Sequence, residues 1–225
     1  MSVQTLRWLL TLRRHPAGIL LAVQLLGIFM YPFMENTAVG RALFGAFGIV
    51  VLALVLWVVY RGRGANMLSW VLAVPAVAMS LMASFLDVPG LLPYAQVLES
   101  LLYFYAAGGL MFYMLEDHVI TVDELVAAGA TFTLLAWGFA YAFAACQGWG
   151  HGSFSGAVDP SHPRSWLELL FLSFSLLSGV GLSDIAPVTP AARALSMLAM
   201  FSGVMYIAIV VSRVIALTAA RRKDR

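Results

Sequence analysis

WLELLFLSFSLLSGVGLSDIAPVTPAAR, residues 166–193, decides how this chain folds. Trp166 to Ser178 is nearly all apolar, and Ser165 and Glu168 at its start stand three apart, the spacing of a helix-capping box. A helix of that length rises about 20 Å, whereas the hydrocarbon core of a bilayer is about 30 Å thick. The segment therefore enters a membrane without crossing it. Ser178-Gly179-Val180-Gly181-Leu182-Ser183-Asp184 follows, with two glycines and no Lys or His. Beyond Pro187, Thr189 caps a last apolar run, Pro190 to Leu217, and Pro190 takes the first helical position, where a missing N–H costs nothing. Non-helical backbone at membrane depth is tolerated only where protein covers it or water fills the space beside it. The half-helix also aims its partly negative C-terminal end at the bilayer middle, which favours a cation there. One such loop makes one wall, so a pore needs several copies around an axis.

The rest of the chain supplies the membrane frame. Of 225 residues, 62% are hydrophobic and 11% charged, and the mean hydropathy is +0.90. Soluble chains run at about 45–50% apolar and about 25% charged, so a soluble enzyme, a disordered tail and a disulfide scaffold are poor readings. Apolar runs lie at Ala17–Met34, Ala42–Tyr60, Met67–Leu86 with Pro75 inside, about Val97–Leu115 with Glu99 inside, and from after Thr121 to about Cys146. Thr121 and Glu124 have capping-box spacing. Gln147 to Ser165 is polar, contains Gly and Pro, and reads as a loop. The expected fold is an all-α membrane protein: six transmembrane helices, with a re-entrant pore helix and filter loop between the fifth and sixth.

Charge placement orients it. The net charge is +2, and Lys223 is the only Lys among thirteen basic residues. With both termini in the cytoplasm, ten basic residues lie inside (Arg7, Arg13, Arg14, Arg61, Arg63, Arg213, Arg221, Arg222, Lys223, Arg225) and three outside (Arg41, Arg164, Arg193), as the positive-inside rule requires. The inner loop with Glu116, Asp117, His118, Asp123 and Glu124 lacks Lys and Arg, but acidic residues weigh little in that rule. Residues 1–16 suggest an interfacial amphipathic leader rather than a cleaved signal. No basic stripe suits nucleic acid, and the single Cys146 excludes a disulfide within the chain. The expected location is the plasma membrane, on this pattern a bacterial inner membrane, with the lipid bilayer as partner.

Ser178 to Arg193 resembles the pore signature of the tetrameric potassium-channel superfamily, Thr-Thr-Val-Gly-Tyr-Gly-Asp-Ile/Val-x-Pro-x-Thr followed shortly by an Arg. The matches are Val180, Gly181, Asp184, Ile185, Pro187, Thr189 and Arg193, with Gly203 at the position of the inner-helix hinge. The resemblance implies a homotetramer in which the backbone of Gly179, Val180, Gly181, Leu182 and Ser183 coordinates a permeant monovalent cation, potassium or sodium, without any cofactor or bound metal. It places Asp184 at the outer mouth and Phe171, Leu172, Ser175 and Ser178 behind the filter. It divides the chain into a leader (1–16), a four-helix domain (17–118), a pore domain (119–217) and a basic tail (218–225). Three filter positions depart from the pattern: Gly179 replaces a Thr, Leu182 the Tyr, and Ser183 the second Gly. The last position normally has φ > 0, where a side chain costs about 1–2 kcal/mol. Fewer or altered ion sites are expected, with Leu172 and Leu182 in apolar contact. No Lys or Arg occurs from Gly64 to Pro163, and a voltage sensor needs several charges at about 2.3 kcal/mol each per 100 mV, so conventional voltage gating is excluded.

Other residues keep two readings. Asp184 forms an acidic ring or caps its own turn. Glu99 is functional or snorkels to the surface. His151, Asp159 and His162 sense external protons, bind a metal or are simply solvated, and Glu116, Asp117 and His118, in the linker that by resemblance couples the first four spans to a gate, sense protons or divalent ions or form a solvated turn. A conducting subunit is set against a non-conducting relative that binds or regulates a partner. An intramembrane enzyme is disfavoured, because no span carries a His-x-x-x-His, a Gly-x-Ser-x-Gly or a paired-Asp motif.

Overall fold

Long apolar runs separated by breakers become helices. A computed structural model describes residues 16–34, 47–48, 50–57, 67–85, 88–116, 122–150, 152–156 and 162–223. Helix α1 is Pro16–Met34, α2 Met67–Phe85, α3 Leu92–Glu116, α4 Val122–Trp149, α5 Trp166–Ser178 and α6 Pro190–Lys223. Residues 50–57 are helical as well. Among the described residues three helices are long and apolar enough to cross a membrane, Leu92–Leu115, Glu124–Trp149 and Pro190–Arg213. Two 19-residue helices, α1 and α2, are apolar too, and α2 runs through Pro75. The expected leader, Thr121 and most of the acidic inner turn lie outside the described residues.

Two expected boundaries move. The fourth apolar run becomes helical at Leu92, not Val97, after a 3-10 turn over Pro89–Leu91. Pro93 sits in the first turn, where proline is tolerated, and Glu99 is two turns inside the helix instead of one. The stretch 147–165, expected as loop, instead extends α4 to Trp149 and holds a strand, β1 (Phe154–Gly156). That strand pairs antiparallel with β2 (Ile185–Pro187), in the register Phe154↔Pro187, Ser155↔Ala186 and Gly156↔Ile185. Three-residue strands leave no periodicity to detect, and a Pro inside one is compatible only with an edge position.

The chain divides into two compact units. Residues 1–66 with 106–133 form one. One of its buried polar contacts joins Thr133 Oγ1, donating at 2.8 Å, to Gln24 Oε1, a side-chain bond between apolar helices that holds them in register. Residues 67–105 with 134–225 form the other, which contains α5, the glycine loop and α6. Its core holds Tyr103, Trp137, Phe143, Leu169, Leu170, Leu172 and Leu177, all essentially inaccessible.

Candidate functional site

Helix α5 begins as the sequence predicts. Ser165 Oγ accepts from the Glu168 N–H at 3.4 Å, and the Glu168 carboxylate accepts from the Ser165 N–H at 2.6 Å. Both arms of the capping box are made, and each satisfies a backbone donor that the helix leaves unpaired.

A second layer of contacts around this end was not legible in the sequence. Arg164, assigned only to an outer loop, has a side chain 3% exposed. Its guanidinium pairs with Glu168 at 3.2 Å and donates to the His162 carbonyl. The Arg164 backbone is gripped by Gln147 from α4: the Arg164 N–H donates to Gln147 Oε1 at 2.7 Å, and Gln147 Nε2 donates to the Arg164 carbonyl at 2.9 Å. At Gly156 a Cβ would sit 2.9 Å from the guanidinium carbon, so this glycine leaves room for the arginine.

Aromatic rings complete the frame. Trp166 in the first turn of α5 packs edge-on against Trp137 of α4, centroids 4.7 Å apart, and lies 6.0 Å from Tyr141. Tyr103 of α3 stacks on both Trp137 and Tyr141. Deeper in, the buried Ser173 Oγ donates to the Ala136 carbonyl at 2.8 Å. The aromatic support for α5 therefore sits at its N-terminal end, while Phe171 and Leu172 lie at its middle.

The other end of α5 closes on Gly179, whose φ of 71° is left-handed and whose N–H donates to the Leu176 carbonyl. Gly181 also has positive φ, 70°, and its N–H reaches back 3.3 Å to the Ser175 carbonyl. These two residues make the turn, and glycine suits both because a Cβ is disfavoured at such angles. Ser183 then acts as a local cap. Its N–H donates to the Gly181 carbonyl at 3.1 Å, and its Oγ accepts from the Ile185 N–H at 3.1 Å. Val180 and Leu182 are 71% and 69% exposed, and Gly179, Gly181 and Asp184 are exposed with them. Of the two leucines expected to meet, Leu172 is buried, whereas most of the Leu182 surface is open. Ser175 is buried beneath the turn, Ser178 is exposed and donates to the Ser175 carbonyl at 3.3 Å, and Phe171 is just under half exposed.

The chain then returns. After Asp184, β2 joins β1, and Val188 N–H donates to the Ser153 carbonyl at 2.9 Å. Thr189 Oγ1 accepts from the Ala192 N–H at 3.3 Å, the expected cap of α6. Gly203 is buried, and a Cβ there would lie 2.6 Å from the Cα and carbonyl carbon of Leu177. At the expected hinge position the glycine thus serves a close approach of α6 to α5, and α6 is continuous through it. The far side of α6 exposes Met197, Phe201, Val204 and Val211 among other apolar residues.

Among the remaining candidates, Glu99 accepts a hydrogen bond from Ser80 Oγ at 3.1 Å, a partner nineteen residues earlier that no local pattern reveals. Cys146 is free and buried. His162 is exposed. His151, Asp159, Asp117 and His118 lie outside the described residues.

The family model described as "Ion channel" matches residues 129–220, a stretch from within α4 to near the end of α6. No curated protein and no solved structure gives a significant match.

Proposed function

We propose that this chain, a membrane protein whose segment 129–220 belongs to the potassium-channel superfamily, is the pore-forming subunit of a homotetrameric channel for monovalent cations. One observation carries the reading. β1 precedes α5 and β2 follows the glycine turn, and the two strands pair. The half-helix and the loop after it thus leave and rejoin the same end of the unit, as a re-entrant segment must. Residues 119–217 act as the pore domain and 17–118 as the four-helix membrane domain in front of it. The exposed backbone at 179–183 faces the axis in each of four copies, and the four Asp184 carboxylates ring the mouth and concentrate cations there. The apolar exposed face of α6 is covered by neighbouring copies and lipid. Both termini lie in the cytoplasm, and the bilayer is the plasma membrane.

The filter is altered, with fewer ion sites than the parent pattern. The Gly181 carbonyl already accepts the Ser183 N–H, so one lone pair of an ion-coordinating oxygen is turned back onto the chain. Without basic residues from 64 to 163, the channel is not gated by voltage in the usual way, and its discrimination between potassium and sodium is weak. The test is cation flux in liposomes that hold only the full-length chain, with reversal potentials in opposed potassium and sodium gradients. Flux with little selectivity is expected. Folded tetramers that pass no ion refute the proposal and select the second reading, a non-conducting relative that binds a partner, which the engaged Gly181 carbonyl also favours.

A further inference from the structure

Between α3, α4 and the start of α6 lies a cavity of about 700 Å³, within the ~300–1,000 Å³ range of small-molecule sites. Val97, Leu101 and Phe104 line it from α3, Ala145 and Trp149 from α4, and Leu195 from α6. No charged residue lines it. Its hydroxyls are already engaged. Ser100 Oγ donates to the Gly138 carbonyl at 2.8 Å, Ser153 Oγ to the Gly150 carbonyl at 2.6 Å, and Thr189 Oγ1 to Ser153 Oγ at 3.4 Å. A polar ligand would leave its own donors and acceptors unpaired here, at about 1–3 kcal/mol each.

The surroundings identify the occupant. Leu101 and Trp149 are about half exposed, so the cavity opens sideways between helices that are long and apolar enough to span a bilayer. At its rim Trp149 and Tyr94 pack edge to face, centroids 5.4 Å apart, both more than half exposed. Exposed Trp and Tyr at helix ends mark the headgroup level. From that rim the lining runs back along α4 from Trp149 to Ala142, about 10 Å at the helical rise, into acyl-chain depth.

We propose that this cavity binds one acyl chain of a phospholipid from the leaflet on the side where α5 begins. The chain packs against Ser153 and Thr189, and so against the bond from Val188 to Ser153 that secures the strand leaving the glycine turn. The proposal rests on the protein lying in a bilayer and not on conduction.

The test uses the full chain in vesicles of phosphatidylcholine carrying a diazirine on one acyl chain, photolysed and mapped by mass spectrometry. Adducts are expected on Leu101, Phe104 and Leu195 above the density on the outward face of α6 at Met197 and Phe201. Ala142→Phe, which plugs the cavity, should lower the cavity adducts about tenfold, equivalent to about 1.4 kcal/mol of binding, and leave the α6 adducts unchanged. The α6 adducts report that the variant has folded, and Leu195→Trp serves as a second plug. Cavity labelling no denser than that of α6, or unchanged by both plugs, overturns the proposal. So do protein-to-protein crosslinks from photo-leucine placed at position 101, which would assign the space to a second copy.

Discussion

Replacing Gly203 by Ala sets two energies against each other. Ala is the better helix former by about 0.8–1.0 kcal/mol in a helix interior. At Gly203, however, the new methyl meets the backbone of Leu177 at 2.6 Å, and backbone in the last turn of a buried helix cannot swing aside as a side chain would. Overpacking of this kind costs about 1–3 kcal/mol. Gly109 supplies the control, because it is also inside a helix and nothing lies within 4 Å of its Cβ position. The propensity gain is common to both, so the difference between Gly203→Ala and Gly109→Ala isolates the collision, about 1–3 kcal/mol. Thermal unfolding of the detergent-solubilised protein reads it: Gly109→Ala raises the midpoint and Gly203→Ala lowers it. Fluorine NMR of a probe on α5 should show the half-helix displaced in Gly203→Ala alone. Equal midpoints for the two variants refute the close-approach account and return Gly203 to the role of a hinge, in which case channel opening changes and stability does not.

Ser165→Ala removes one arm of the capping box and should cost about 0.5–2 kcal/mol, read as faster amide hydrogen exchange in the first turn of α5 with little change in α6. Glu168→Gln keeps the other arm, since Gln also serves at that position, but deletes the charge beside a buried guanidinium. A loss of about 1–3 kcal/mol is expected, and the further change Arg164→Met in the same chain should recover much of it. Gly179→Thr forces a β-branched residue to a φ of 71°, so it should destabilise the assembled protein by about 1–2 kcal/mol, measured as a shift in guanidinium midpoint. The triple variant with Leu182→Tyr and Ser183→Gly should sharpen potassium selectivity, and reversal potentials identical to those of the parent refute the importance of these positions.

Local signals were legible in the sequence and distant ones were not. The cap at Ser165 with Glu168, the cap at Thr189 and the length of α5 depend on residues within four positions of one another, and all appear as read. The glycine turn was legible as well, but which residues carry positive φ depends on the Ser175 carbonyl, six residues back. Buried Arg164 looked like a loop charge because the groups that enclose it, the Gln147 amide that grips its backbone and the room beside Gly156, come from earlier in the chain. The Ser80 partner of Glu99 and the contact between Gly203 and Leu177 are likewise properties of packing between helices. Three-residue strands carry no pattern that the surrounding polar stretch does not share.

The β1–β2 ladder and the Val188–Ser153 bond are main-chain pairings, to which the Ser155 hydroxyl adds one bond to the Ala186 carbonyl at 3.5 Å. That ladder is therefore largely indifferent to which side chains decorate it. Ser155 and Ala186, opposite each other on that ladder, can be exchanged for charged, bulky or reactive residues while the scaffold beneath keeps its shape. Fluorescent reporters have a mounting point there that leaves the glycine turn intact.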